Sequence, residues 1–237
     1  MIPLVLPGLP SRRPGAPVET RQLADWSILG SPVDAAGVPT LPGAREELGE
    51  IASLRGASGV EDQGPVVLAG ASSDPRSLVR IGTAFDREAL VAALRSGRSI
   101  HVATHLGKGC GGEGGRLADV GLELSGDESL CAREIAEIRP VLPLAVLAAC
   151  ETGEGRFVDA EGLQGIARAF LESGTRNLLV TLWPVEDGCA RLFAVEFHRG
   201  LLDGLRPSEA AAQARAALRA KNLGPADWAA FRLIGRD

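Results

Sequence analysis

Two nearly continuous apolar runs in the second half of the chain constrain its fold more than any other feature. They are residues 144–149, LAVLAA, and residues 177–182, NLLVTL. Short apolar runs of this length are typical of strands that helices cover on both faces, as in a parallel sheet. Longer amphipathic segments follow them, at residues 162–171 and 190–202. A repeated strand-then-helix order predicts an α/β domain with a mostly parallel central sheet.

The same alternation is present in the rest of the chain. Further strands are predicted at residues 26–30, 66–69 and 99–104, and further helices at residues 44–54, 87–94 and 208–218. A content of 45% hydrophobic and 23% charged residues is that of a globular protein and excludes a wholly disordered chain. The formal net charge of −5, without a basic stripe, predicts no nucleic-acid or membrane partner.

The domain organisation follows from the composition along the chain. Residues 1–22 are rich in Pro, Gly and Arg and are predicted to be a flexible lead-in, with a single folded domain at residues 23–237. The first residues hold an apolar run that is too short to span a bilayer and has no basic leader, which predicts a cytoplasmic protein. The four cysteines contain no CxxC pair, so we expect free thiols rather than a zinc site or a disulfide framework.

Reactive side chains follow two of the predicted strands. His105 comes directly after SIHVAT, and Cys150 comes directly after LAVLAA. The crevice of an open α/β sheet lies at the carboxyl ends of its strands, so both side chains are candidates for one site. A cysteine thiol needs a nearby imidazole to take its proton at neutral pH. The pair therefore predicts cysteine nucleophile chemistry, although the spacing alone does not distinguish it from two residues that end strands by chance.

Acyl transfer also needs hydrogen-bond donors for the developing oxyanion. The backbone N–H groups of Leu106, Gly107 and Cys150 are the candidates. His101 lies on the same strand face as His105, about 13 Å away, which is too far to share a metal, and it is predicted to have a packing role.

Several side chains beyond the strand ends are candidates for substrate binding. Glu151 begins an acidic loop that either attracts a basic substrate residue or is simply solvated. Glu186 and Asp187 follow the strand at residues 177–182, and Trp183 could form an apolar wall for a substrate side chain. Asp187 could alternatively cap the helix that begins near Gly188.

Six stretches of the chain resemble one known family. They are LPGAREEL at residues 41–48, HVATH at 101–105, LAACETG at 147–153, EGLQGIARAF at 161–170, LWPVED at 182–187 and WAAFRLIG at 228–235. In this order they resemble the CHAT peptidases of the caspase-like clan, which also contains separases, gingipains and metacaspases. The resemblance covers nearly all of residues 26–237 and implies a caspase-like three-layer α/β/α sandwich. It also implies that His105 and Cys150 form the catalytic dyad.

The chain departs from the family pattern at two positions. The family usually has glycine directly after the dyad histidine, where this chain has Leu106 before Gly107. A side chain at that turn could narrow the site or strain its geometry, which puts catalytic efficiency in question. The family also often has serine two residues before the nucleophile, where this chain has Ala148.

The resemblance implies a cysteine endopeptidase that cleaves one or a few partner proteins, in bacterial signalling or in defence against phage. It implies no metal or other cofactor. Because the chain contains no helical-repeat period, regulation would come from a sensor protein in trans or from a missing neighbouring domain. One alternative is a pseudo-peptidase that acts as a protein-interaction module, and another is a redox-responsive binding protein with Cys150 as its sensor thiol.

Overall fold

The computed structural model describes residues 26–30, 41–56, 66–69, 78–108, 120–148 and 160–235. The strands within these residues are β1 (Trp26–Gly30), β2 (Val66–Ala69), β3 (Leu78–Ile81), β4 (Ser99–Ala103), β5 (Leu106–Lys108), β6 (Val120–Glu123), β7 (Ser129–Cys131), β8 (Leu144–Ala148), β9 (Asn177–Thr181) and β10 (Phe231–Gly235). The helices are α1 (Pro42–Leu54), α2 (Arg87–Arg95), α3 (Ala132–Ile138), α4 (Ala160–Ser173), α5 (Asp187–Leu202), α6 (Pro207–Ala220) and α7 (Pro225–Trp228).

A seven-stranded sheet forms the centre of the fold, in the order β10-β9-β8-β4-β1-β3-β2. The pairs β9/β8, β8/β4, β4/β1 and β1/β3 are parallel. The outer strands β10 and β2 each pair antiparallel with their neighbour. The prediction of an α/β fold with a mostly parallel central sheet is therefore confirmed.

Helices cover both faces of this sheet, which explains why its central strands are apolar on both sides. Alternate residues of β4, β8 and β9 pack against α2, α3 and α4 on one face, and this cluster includes Phe85, Leu90, Ile100, Val102, Leu147, Ile166, Phe170 and Val180. The remaining residues pack against α1, α5 and α6, in two clusters that include Ile28, Leu48, Ile51, Ala103, Val146, Leu179, Phe193, Phe197 and Ala210. The result is a three-layer α/β/α sandwich, as the resemblance implies.

A second, three-stranded antiparallel sheet, in the order β5-β6-β7, directly follows β4 in the chain. It was not predicted, because its strands are only three or four residues long and carry glycines at two positions. Strands this short have no periodicity that a sequence pattern can reveal. β3 and the edge strand β10 were not predicted either. Along the described stretches, no helix is both long and apolar enough to cross a membrane.

The cysteines partly contradict the expectation of free thiols. Cys189 is buried and free, whereas Cys131 is disulfide-bonded. A disulfide requires two Cα atoms within about 7 Å of each other, a condition that depends on the tertiary fold and not on spacing in the sequence.

Candidate active site

The strands that precede the predicted dyad residues are immediate neighbours. β4 and β8 are parallel and in register, with Ala103 opposite Ala148. The Thr104 N–H then donates to the Ala148 carbonyl at 3.3 Å, which extends the pairing beyond β4. His105 is the next residue. Cys150, like Glu151, lies outside the described residues, so their side chains are not placed.

The segment that carries His105 is held against β6. The Glu123 N–H donates to the His105 carbonyl at 3.0 Å, and the Thr104 hydroxyl donates to the Glu123 carbonyl at 2.6 Å. The His105 side chain is half-buried. Because both bonds are to backbone groups of β6, the three-stranded sheet fixes the position of the His105 backbone.

The backbone N–H groups of Leu106 and Gly107 point in opposite directions. In an antiparallel pair, residues that exchange hydrogen bonds alternate with residues that do not. His105 accepts from its partner Glu123, and the register continues with Leu106 opposite Leu122 and Gly107 opposite Gly121. The Gly107 amide therefore faces β6, and the Leu106 amide faces away from it.

The Leu106 side chain packs away from solvent. It is 9% exposed and belongs to the apolar cluster between the sheet and helices α2, α3 and α4. The non-glycine residues with positive φ within the described stretches are Asp127, Arg139 and Asn222. Leu106 is not among them, so its position does not require glycine. The strain expected of a non-glycine residue with positive φ is therefore absent at Leu106.

A cavity opens at the same edge of the sheet, between its carboxyl end and helices α1 and α5. It holds about 570 Å³ of space, part of which is open to solvent. Ala103 and Ala148 lie on its sheet side, next to the segments that lead to His105 and Cys150. The other lining residues include Leu41, Gly43, Ala44, Glu47, His101, Val146, Thr181, Asp187, Phe193 and Ala194.

Four side chains form a buried polar chain beneath this cavity, which we call the relay. The Glu47 Oε1 lies 2.8 Å from the His101 Nε2. The His101 Nδ1 lies 3.0 Å from the His198 Nε2. The Arg55 Nε and one terminal nitrogen lie 3.1 and 3.0 Å from the His198 Nδ1. The relay joins the middle and the carboxyl end of α1 to β4 and α5, so His101 has a hydrogen-bonding role in addition to the predicted packing role.

The direction of the hydrogen bonds in the relay follows from its arginine. A guanidinium can only donate, so the His198 Nδ1 accepts and its Nε2 carries the proton. That proton is donated to the His101 Nδ1, so the His101 Nε2–H donates to Glu47. Burial, the Arg55 charge and His101 hold the pKa of His198 well below its ordinary value, and burial lowers the pKa of Arg55 to about 9. The relay thus connects a cation and a carboxylate through two neutral imidazoles.

The predicted substrate-binding residues Trp183 and Glu186 follow β9 at the same edge. Trp183 is 40% exposed, and its indole N–H donates to the Ala226 carbonyl at 2.7 Å. The Glu186 side chain accepts from the Cys189 N–H at 3.2 Å and is the N-cap of α5. Hydrogen bonds from the backbone of Gly188 and from Cys189 lower the pKa of Glu186.

Asp187 is not the cap of α5, which corrects that alternative prediction. Its carboxylate lies against the first turn of α1, where a Cβ on Gly43 would come within 2.5 Å of the Asp187 Cγ. Only glycine leaves room for the carboxylate there. The amino end of a helix is also a favourable position for a negative charge.

Sequence reasoning missed Glu47, Arg55 and His198 as members of the site. Glu47 lies within the LPGAREEL stretch, but no spacing linked it to His101, which is 54 residues away. His198 lies in an ordinary amphipathic helix, so no pattern could have identified it. Within the described parts of the chain, no group of three His, Cys, Asp or Glu residues is arranged to hold a metal ion.

Comparisons with known proteins agree with this architecture. A family model described as "CHAT domain" matches residues 8–236. Tetratricopeptide repeat protein 28 of Mus musculus is 36% identical over 110 residues, which are 46% of this chain and 4% of that protein. The same protein of Homo sapiens is 33% identical over 110 residues, again 4% of its length. The chain thus matches only a small part of these relatives.

A solved structure shows the same fold. It is the Arg specific cysteine proteinase gingipain R, with a TM-score of 0.51 and 12% sequence identity. The match covers 92% of this chain and 47% of that chain. The caspase-like fold implied by the sequence resemblance is therefore confirmed.

Proposed function

The chain belongs to the CHAT domain family, and on that premise we propose that it is a cysteine endopeptidase with His105 and Cys150 as its catalytic dyad. The family and the gingipain-like fold support a cysteine peptidase of the caspase-like type. The identity of the two catalytic residues and of the substrate goes beyond what the family and the fold support, and is proposed here.

The register of β4 and β8 is the observation that carries the proposal. Ala103 and Ala148 are paired across the two parallel strands. His105 and Cys150 each follow their paired alanine by two residues in the sequence. Strands that are parallel and in register deliver the residues after them to the same edge of the sheet. A base and a nucleophile at that edge suit acyl transfer.

The proposed reaction has two stages. His105 takes the proton of the Cys150 thiol, and the sulfur attacks the scissile carbonyl to form a tetrahedral oxyanion. The C–N bond then breaks, and the proton passes from His105 to the leaving amine, which leaves a thioester on Cys150. Water, deprotonated by His105, hydrolyses the thioester and releases the acid product.

The Leu106 amide is the preferred oxyanion donor in this proposal, together with the Cys150 amide. The pairing pattern of β5 and β6 leaves the Leu106 N–H directed away from the small sheet, whereas the Gly107 N–H faces β6. Removing one such donor typically costs a factor of 100 to 1,000 or so in kcat. Of the two predicted donors in β5, Leu106 and Gly107, we therefore retain Leu106.

The proposed substrate is one or a few partner proteins in a signalling or defence pathway, in the cytoplasm of a bacterium. Selective cleavage suits a peptidase that a sensor protein controls in trans. The mouse and human relatives are named for tetratricopeptide repeats, and we propose a helical-repeat protein as the sensor. Trp183 and Glu151 remain the proposed contacts to substrate residues near the cleaved bond.

Cleavage of a peptide library by wild type and variants tests the dyad. We expect Cys150→Ala to abolish cleavage and His105→Ala to reduce it by several orders of magnitude, because the thiol then lacks its base. Cys189→Ala is the matched control, since Cys189 is buried between the sheet and the outer helices and should not affect the rate. The measurement is kcat/KM on the best peptide of the library.

A covalent probe provides an independent readout. A peptidyl acyloxymethyl ketone should label wild type and Cys189→Ala but not Cys150→Ala, as mass spectrometry would show. Cleavage that survives both dyad substitutions would disprove the assignment. If neither cleavage nor labelling occurs in wild type, the chain is the pseudo-peptidase of the alternative hypothesis.

Leu106→Gly tests whether the departure from the family pattern impairs catalysis. Leu106 is buried in the apolar core, so we expect a loss of about 2–5 kcal/mol in the free energy of unfolding, as for other large-to-small core changes. We expect no increase in kcat, because the oxyanion donor is a backbone amide in both proteins. Chemical denaturation and steady-state kinetics measure the two effects. A glycine variant with clearly higher kcat would show that Leu106 obstructs the site.

A further inference from the structure

The strand β10 ends the seven-stranded sheet, and among the described residues no strand lies on its outer side. Just before β10, the Ala230 carbonyl accepts from the Leu182 N–H at 2.8 Å, so Ala230 bonds towards β9. In an antiparallel pair such residues alternate with residues whose backbone groups point away from the partner strand. The N–H and C=O groups of Phe231 and Leu233 are therefore directed outward, where another strand can bond to them.

An arginine side chain shows the same outward direction. The Arg215 guanidinium of α6 donates to the Phe231 carbonyl at 2.8 Å, so it lies at the outer edge of the sheet. Within the described stretches, the backbone groups of Leu233 have no such side-chain partner. The outer side of β10 is therefore an accessible strand edge with a positive charge beside it.

Two further arginines lie close to Arg215. Arg219 follows it by one turn of α6 and stacks over the Trp228 ring, with its guanidinium carbon 4.9 Å from the ring centroid. Arg232 lies on β10 itself and is exposed. Burial and the charges of Arg232 and Arg219 lower the pKa of Arg215, as expected where like charges are close together. We call β10 with these three arginines the arginine edge.

No ion pair within the described part of the chain neutralises the arginine edge. The arginines that form ion pairs there are Arg87, Arg168, Arg191, Arg199 and Arg206. Residues 215–232 contain four basic residues and one acid, Asp227, whose carboxylate accepts from the Gly224 N–H. The whole chain has a net charge of −5, so the sign of the charge is reversed locally. A surface of this kind is complementary to an acidic partner.

We propose that the arginine edge binds an acidic, extended segment of a partner protein, which adds a strand to β10. A peptide strand supplies the alternating donors and acceptors that match the outward groups of Phe231 and Leu233. A second copy of this chain fits less well, because symmetric pairing of two β10 strands would bring two sets of arginines together. The edge is two strands away from β8, so the proposal does not depend on the proposed peptidase function.

The two faces of the sheet indicate where the acids of the added strand should lie. Phe231 and Leu233 pack towards α5 and α6, so the neighbouring Arg232 side chain points to the opposite face. Arg215 and Arg219 belong to α6. Two consecutive acidic residues in the added strand point to opposite faces and so meet arginines on both.

Fluorescence anisotropy with labelled peptides tests the charge requirement. The peptide VTVEEVTV has two consecutive glutamates between strand-forming residues, and VTVQQVTV is its neutral counterpart. We expect the full chain to bind the glutamate peptide at least tenfold more tightly, and Arg219→Gln/Arg232→Gln to remove most of that difference. Arg95→Gln is the matched control, because Arg95 is an exposed residue at the end of α2. Cys150→Ala should bind as wild type does.

Leu233→Pro tests whether the backbone of β10 takes part. At this position proline removes an outward N–H and leaves the hydrogen bonds to β9 in place. We expect the affinity for VTVEEVTV to fall at least tenfold, with thermal denaturation to verify folding. If the variant does not fold, infrared spectroscopy of wild type with the carbonyl-labelled ¹³C peptide reports the added strand directly, as a shifted amide I band typical of a β-sheet.

The outcomes separate this proposal from the peptidase and from self-association. Equal affinity for the glutamate and glutamine peptides, or no loss in the double arginine variant, would overturn the proposal. A bound peptide without the strand band would also overturn it. Dimerisation in sedimentation that Leu233→Pro abolishes would assign the edge to a second copy instead. Charge-dependent strand binding by a chain that cleaves no peptide would support the arginine edge and overturn the peptidase.

Discussion

Replacement of His101 by leucine is expected to lower the free energy of unfolding by about 2–6 kcal/mol, since two buried groups each lose a hydrogen-bond partner at a cost of about 1–3 kcal/mol. His101 is fully buried and bonds to both Glu47 and His198. Leucine would leave the Glu47 carboxylate and the His198 N–H without their partners. Guanidinium denaturation of wild type and variant at pH 7.5 measures the difference.

A double-mutant cycle tests whether this cost arises from the relay itself. Glu47→Met should also destabilise strongly, because His101 then loses its acceptor. The double variant Glu47→Met/His101→Leu should be less destabilised than the sum of the two by about 1–3 kcal/mol, since an apolar pair leaves no unpaired charge. Additive effects, or single variants that cost less than about 1 kcal/mol, would show that the relay contributes little.

The relay should also make stability depend on pH. The pKa of His198 is depressed in the folded protein from its ordinary value of 6.5, so the unfolded chain binds a proton that the folded chain does not. The contribution of His198 to the free energy of unfolding is therefore fully present above about pH 6.5. It falls as the pH drops below that value, by at most about 1.4 kcal/mol per pH unit. Carboxylates whose pKa is lowered in the folded protein, such as that of Glu134, affect the stability only in a more acidic pH range. Denaturation between pH 7.5 and 5 measures the slope, which His198→Gln should remove.

Replacement of Gly30 by alanine is expected to be the most damaging change in the central sheet. Gly30 ends β1 at φ +146, and a Cβ there would lie 2.8 Å from the carbonyl carbon of Ala103 in β4. The backbone strain costs about 1–3 kcal/mol and the forced separation of the strands a similar amount. We therefore expect a loss of about 2–6 kcal/mol in the free energy of unfolding, measured by thermal and chemical denaturation.

Gly97→Ala is the matched control for this substitution. Gly97 also has positive φ, at +70, but a Cβ there would meet nothing within 4 Å. Only the cost of the left-handed conformation remains, about 1–2 kcal/mol. Because Ala103 precedes the His105 segment, Gly30→Ala should also reduce peptidase activity in any protein that still folds, whereas Gly97→Ala should not. Equal effects of the two changes would contradict the predicted clash.

The α/β architecture could be predicted from local pattern alone. Continuous apolar runs become central strands because helices on both faces exclude water from both sides of the sheet, as β8 and β9 show. The amphipathic helices were predicted to within a few residues, since a helix that packs on a sheet needs one apolar face. The strands that precede His105 and Cys150 in the sequence were also predicted, as β4 and β8 show, whereas only the structure shows that these two strands are neighbours.

The small sheet and the site around the cavity could not be predicted in this way. β5, β6 and β7 are too short to show a period, and their pairing depends on contacts between separate segments. The direction of the Leu106 amide and the burial of its side chain follow from that pairing. The sequence showed only that this chain has Leu106 where the family usually has glycine.

The sequence by itself thus determined the fold class, the family and the two dyad candidates, because periodicity and motif order are local properties of the chain. Only the tertiary structure brought Glu47, Arg55, His101 and His198 into one relay, and Asp187 against Gly43. The hydrogen bonds of the relay join residues up to 143 positions apart. Hydrogen bonds between distant residues depend on how helices α1 and α5 pack on β4, and that packing is a property of the folded chain as a whole.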